Sequence, residues 1–158
     1  GPMTVAEESG EWAGSPIVEV QPRPRAGVVR LPGEVAELID RPEFAVLSTV
    51  QPDGSAQLSV MWVGRDGDEL VMATKAGRRK VRNIERDPRV TVLLYDRARP
   101  ARYAEIRGTA RVTGEDAHAL VDGLARRYTG AVHERGGEQE EAARVVLRIT
   151  PERVLFVA

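Results

Sequence analysis

The chain has 158 residues, of which 42% are hydrophobic and 30% are charged, and this composition is typical of a single globular domain. The net charge of −1 lacks the basic excess of most nucleic-acid-binding domains, so no nucleic-acid partner is expected. The absence of cysteine excludes disulfides and thiol nucleophiles and favours a cytoplasmic location, and no apolar run approaches the ~20 residues that cross a membrane.

The first 32 residues predict an N-terminal arm, and residues 33–158 predict one folded domain. Gly1 and Pro2 resemble the remnant of a cleaved tag and are left out of the fold prediction. The rest of the arm is rich in proline and has few consecutive apolar residues, which indicates an extended or disordered segment. Within it, residues 17–20 have the composition of a short edge strand.

Apolar spacing and turn residues divide the domain into three helices and seven strands. In chain order these are a helix over 33–40, strands over 44–50, 56–63 and 70–74, a helix over 77–86, strands over 90–95 and 102–113, a helix over 115–128, and strands over 145–149 and 153–157. Pro42 and Pro88 end the first two helices because proline cannot continue a helix. Thr113 is the predicted N-cap of the third helix, and residues 130–141 predict a polar loop.

The short turns between the early strands set the fold class. The turns at residues 51–55 and 66–67 are tight, which requires the strands on either side to pair antiparallel. Many antiparallel strands with few helices predict a mainly β, α+β fold. They also predict a small barrel, since closure removes exposed sheet edges.

The strongest functional signal lies where the strand over 70–74 meets the helix over 77–86. A helix start offers free N–H groups and a positive dipole, and basic side chains crowd this one. Val81 and Ile84 define the buried stripe of the helix, so Arg78 and Lys80 flank it at the first turn. We therefore predict that Arg78 and Lys80 bind a phosphate, with a hydroxyl from Thr74 nearby.

The alternative is that the basic residues of this helix are simply solvated and bind nothing. From this segment alone, the two interpretations are about equally favoured. Solubility is the favoured role of the residues on its opposite face, which are Arg79, Arg82 and Arg86.

A second candidate feature is the polar face of the strand over 56–63. Leu58, Val60 and Trp62 alternate with Gln57, Ser59 and Met61. A flat heteroaromatic ring can lie across Gln57 and Ser59, but such a face can equally meet water. Met61 and Trp62 can pack on a ring, although tryptophan is more often part of a core or an interface.

The sequence names no catalytic residue. It has no Ser-centred elbow, Walker loop or dinucleotide fingerprint, and His118 and His133 lack partners at metal-ligand spacing, so no metal site is expected. The missing acid, base and nucleophile point to chemistry carried out by a bound cofactor.

Three segments, in order, resemble the pyridoxamine-phosphate-oxidase-like split β-barrel proteins. They are residues 44–62 with the turn at 52–55, residues 80–90 with the Asp87-Pro88 pair, and residues 103–110. The resemblance covers about residues 35–157 and is closest to the branch that uses the deazaflavin coenzyme F420. It implies a split β-barrel of antiparallel strands with three helices.

The resemblance also implies a homodimer with a cofactor at each interface site and hydride transfer to an electrophilic small molecule. It assigns the phosphate to Arg78 and Lys80 with help from Thr74 and Asn83, the ring to Gln57, Ser59 and Met61, and the interface region to Tyr103 and Glu105. Two alternatives remain open on the same fold: an oxidoreductase that binds FMN, and a non-catalytic protein that binds or sequesters the cofactor.

Overall fold

The computed structural model describes residues 17–20, 29–130 and 144–158, and for 17–20 it describes the backbone alone. Within these residues the chain forms eight strands and three helices. They are β1 (Ile17–Val20), α1 (Gly33–Asp40), β2 (Ala45–Val50), β3 (Ala56–Met61), β4 (Gly64–Asp66), β5 (Glu69–Lys75), α2 (Arg79–Arg86), β6 (Arg89–Asp96), β7 (Arg99–Thr113), α3 (Ala117–Thr129) and β8 (Arg144–Val157). The strand predicted over 17–20 is thus present as β1.

The strands pair antiparallel in the order β3-β2-β6-β7-β8-β5-β4, and β1 pairs with the C-terminal end of β8. This confirms the predicted α+β split barrel with three helices. The expectation of closure is wrong, because β3 and β4, the strands at the two ends of this order, do not pair with each other. Strand β3 therefore keeps β2 as its one neighbour among the described strands and forms an open edge.

The end of the domain also differs from the prediction. The two strands expected around Pro151 are one continuous strand, β8, which pairs with β7 from Val146 to Val157 apart from one irregularity. A register shift lets Glu152 bulge out, so that Pro151 faces Gly108 without needing a backbone donor. A Cβ atom on Gly108 would lie 2.1 Å from the carbonyl oxygen of Thr150, so only glycine fits opposite the bulge.

The predicted N-cap of the last helix is also wrong. Helix α3 begins at Ala117 after Asp116, whose φ of 61° is left-handed, and Thr113 remains in β7. Most of the polar loop predicted over 130–141 lies outside the described residues.

The inner face of the sheet packs against α1 and α2. Leu38 and Ile39 of α1 are fully buried among inward side chains such as Leu47 and Ile106. Each such side chain contributes about 1.5–3 kcal/mol when it leaves water. Val29, which precedes the predicted domain boundary, also packs in this core.

Candidate functional site

The basic corner is built by a strand, a tight turn and a short helix. Strand β5 ends at Lys75, whose carbonyl accepts the N–H of Arg78 at 3.3 Å. Gly77 takes a left-handed φ of 85°, which turns the chain into α2. Arg78 caps α2 by position, but no side chain caps its N–H groups and no acidic residue lies in its first turn. The positive end of the helix is therefore left for an external anion.

Lys80 lies half-buried in the first turn of this helix. Burial lowers the pKa of its ammonium, and the nearby positive charge of Arg78 lowers it further. Neither side chain makes a hydrogen bond or ion pair with another residue in the part of the chain that the structure describes. The two cations thus concentrate positive potential that an anion would offset.

The other three arginines of α2 are exposed, as the helical spacing predicts, while Val81 and Ile84 are buried. They tie the helix to neighbouring segments. Arg79 donates to Gln51 at 3.3 Å, Arg82 donates to the carbonyl of Gly77, and Arg86 donates to the carbonyl of Val50. These contacts separate them from Arg78 and Lys80, whose side chains remain available.

A chain of hydrogen bonds joins α2 to the edge strand. The buried Asn83 amide donates to Thr49 at 3.0 Å, and the Thr49 hydroxyl donates to Gln57 at 2.8 Å. The Gln57 amide in turn donates to Ser59 at 3.0 Å. Three predicted site residues are thus brought together, and Asn83 lies one helical turn beyond Lys80.

Sequence reasoning missed Thr49, the residue at the centre of this network. Its spacing in β2 could have indicated it, because alternate residues of a strand share a face and Thr49 alternates with Ala45 and Leu47. In the structure Thr49 is fully buried on that inward face. A buried hydroxyl needs partners, which here come from Gln57 and Asn83. Because both amides are used inside the protein, their direct contact with a cofactor stays a prediction.

The remaining predicted residues, Met61 and Thr74, lie at the C-terminal ends of β3 and β5. Met61 is buried at the end of β3 and lines a cavity together with Trp62 and Ala73. Thr74 is buried in β5, one residue after Ala73. The structure therefore places Met61 near the strand that leads to the basic corner.

The outward face of the sheet is partly apolar. Leu58 and Val60 on β3 are 63% and 70% exposed, and Leu93 on β6 is 37% exposed. Cross-strand pairing aligns Val60 with Val46 and Val46 with Leu93, which makes one continuous row. The alternation predicted for β3 is therefore right, but its apolar side faces outward.

The two residues predicted near an interface lie on this same face. Glu105 pairs with Leu93 across the strands and accepts a hydrogen bond from Arg107. Tyr103 lines a shallow depression with Tyr95 and Pro100.

The described residues contain no group of three His, Cys, Asp or Glu side chains able to hold a metal ion. None of their helices is long and apolar enough to cross a membrane.

Comparison with known proteins places these features in context. Residues 31–158 match the sequence profile of the family described as pyridoxamine 5'-phosphate oxidase. The structure of an F420 reductase is 32% identical, with a TM-score of 0.71, and the match covers 78% of this chain and 98% of that chain. No curated protein matches.

Two further solved structures are similar. A conserved hypothetical protein from Mycobacterium tuberculosis is 30% identical with a TM-score of 0.68, and 84% of this chain and 88% of that chain are covered. General Stress Protein 26 from Bacillus anthracis is 22% identical with a TM-score of 0.62, over 78% of this chain and 91% of that chain, and shares the fold.

Proposed function

This chain belongs to the pyridoxamine 5'-phosphate oxidase family, and from that premise we propose that it is an oxidoreductase that uses reduced coenzyme F420 to reduce an electrophilic small molecule. Similarity to a protein named F420 reductase, at 32% identity over most of both chains, supports F420 over FMN. When bound, the reduced deazaflavin supplies the hydride.

One observation carries the proposal: the half-buried Lys80 beside Arg78 at a helix start without a side-chain cap. This arrangement fits a phosphate, because two cations and free N–H groups meet there and the described residues supply no carboxylate to neutralise them. In the proposal, Arg78 and Lys80 bind the phosphate and fix where the rest of the cofactor lies.

The hydrogen-bonded chain from Asn83 to Ser59 has a positioning role in this proposal. It fixes the edge strand β3 to α2 through Thr49 and Gln57, so that the phosphate site and the strand proposed to carry the ring move together. Holding the cofactor in one orientation is a large part of what the protein contributes to the rate when the cofactor carries out the chemistry.

We further propose a homodimer, in a cytoplasmic setting, with the outward face of β3 and β6 at the interface. Leu58 and Val60 are strongly exposed on an unpaired edge strand, and Leu93 extends the same apolar row. Exposed apolar edges promote unwanted pairing unless another surface covers them. A second copy of the chain would bury this row.

Titration of the purified protein with F420, FMN and riboflavin tests the cofactor assignment. We expect wild type to bind F420, Lys80→Ala to bind it much more weakly, and Arg126→Ala to bind as wild type does. Arg126 is a matched control because it is an exposed cation on α3. Riboflavin lacks a phosphate, so its weaker binding should not depend on Lys80.

Three results would contradict the proposal. F420 binding that is unchanged in Lys80→Ala would remove the phosphate site. A protein that binds FMN more tightly than F420 would favour the flavin alternative, and tight F420 binding without turnover of any electrophile would favour a sequestering role.

A further inference from the structure

A cavity of about 260 Å³ lies between the ends of β3 and β5 and helix α3. Its apolar lining comes from Val60, Met61, Trp62, Ala73, Val121 and Leu124, and among the described residues Arg144 is the one charged side chain that lines it. A pocket with mostly apolar walls selects the apolar part of a small molecule.

One wall of the cavity is a fixed aromatic surface. The Trp62 indole stacks on the Tyr128 ring, with centroids 5.1 Å apart and planes inclined by 14°. The Tyr128 hydroxyl accepts the N–H of Val63 at 3.0 Å and donates to the carbonyl of Glu43. Tyr128 therefore covers one face of the indole and fixes its orientation, so the wall is preorganised for a flat ligand.

The cavity adjoins the proposed cofactor site. Met61 lines the cavity and is also a predicted ring contact, and Ala73 immediately precedes Thr74 of the strand leading to the basic corner. We propose that this cavity binds the planar, apolar ring of the electron acceptor, with Trp62 as its specificity-determining wall and Tyr128 as a positioning residue. The assignment of the ligand as an electron acceptor rests on the proposed function, whereas the binding of a planar ring does not.

Fluorescence of Trp62 tests the proposal without turnover. In a Trp12→Phe background Trp62 is the one tryptophan left, and menadione, a flat quinone, serves as the probe. We expect saturable quenching, weakened at least tenfold by Val121→Phe, which fills the cavity from α3. Ala119→Phe is the matched control, since it adds the same ring to an exposed position of the same helix.

Ala73→Val provides a second, smaller obstruction should Val121→Phe fail to fold, and it should weaken quenching in the same direction. Tyr128→Phe keeps the stacked ring but removes its anchors, so it should shift the Trp62 emission maximum and weaken quenching. Absence of saturable quenching in the Trp12→Phe protein, or equal quenching when Val121→Phe and Ala119→Phe are compared in that background, would overturn the proposal.

The proposed function is tested separately in the same proteins. Lys80→Ala should leave menadione quenching unchanged while it weakens F420 binding. If menadione binds in the cavity but F420 does not bind wild type, the proposed function fails and the cavity assignment survives. If F420 binds wild type but menadione does not bind in the cavity, the cavity assignment fails and the proposed function survives.

Discussion

Replacement of Lys80 by alanine should weaken binding of the phosphate-bearing cofactor by an amount that follows from the burial and charge of Lys80. A hydrogen bond between charged groups contributes about 1.5–3 kcal/mol, which is roughly tenfold to 150-fold in the dissociation constant. The upper part of this range is expected, because Lys80 is half-buried and its charge is poorly compensated in the free protein. Calorimetric titration of Lys80→Ala with F420 measures the loss directly.

The pH dependence of that affinity gives the sharper test. The pKa of Lys80 is lowered in the free protein by burial and by Arg78, whereas a bound phosphate would raise it. Affinity should be constant below the lowered pKa and fall as the pH rises through it, with proton uptake on binding in that window. Lys80→Arg should stay flat because its guanidinium keeps its charge. A wild-type affinity that does not change from neutral to alkaline pH would refute the reasoning.

Three other changes follow from described contacts. Tyr128→Phe leaves the buried N–H of Val63 without a partner, which should lower the free energy of unfolding by about 1–3 kcal/mol in a urea titration. Gly108→Ala sets a Cβ against the carbonyl oxygen of Thr150 and should lower stability by about 3 kcal/mol, so an unchanged melting temperature would show that the bulge relaxes. Leu58→Glu places a charge in the exposed row of β3 and should convert the proposed dimer to monomer in light scattering, while a dimer that persists in this variant would move the interface elsewhere.

Local features of this fold could be predicted from the sequence. The buried stripe of α2 could be predicted from the spacing of Val81 and Ile84, because a short helix that packs on a sheet buries one face. The basic corner was equally local, since Arg78 and Lys80 lie within a few residues of the strand end. Both depend on residues close in the chain.

Features that depend on distant residues could not be predicted. Nothing near Thr49 in the sequence indicates that Asn83, on another element, is its partner. The continuity of β8 through Pro151 depends on Gly108 of the opposite strand, which makes room for the bulge. The open edge of β3 likewise depends on distant pairing, since the next hairpin, formed by β4 and β5, joins β8 at the other end of the strand order.

Because β3 has one strand neighbour among the described residues, half of its peptide groups lack a ladder partner. Such amides exchange their hydrogens with solvent readily, while those facing β2 are protected. A molecule that hydrogen-bonds along the free side of β3 would slow the exchange of alternate residues from Ala56 to Met61. Deuterium uptake along this strand therefore gives a residue-by-residue measure of whether a molecule is bound along its free side.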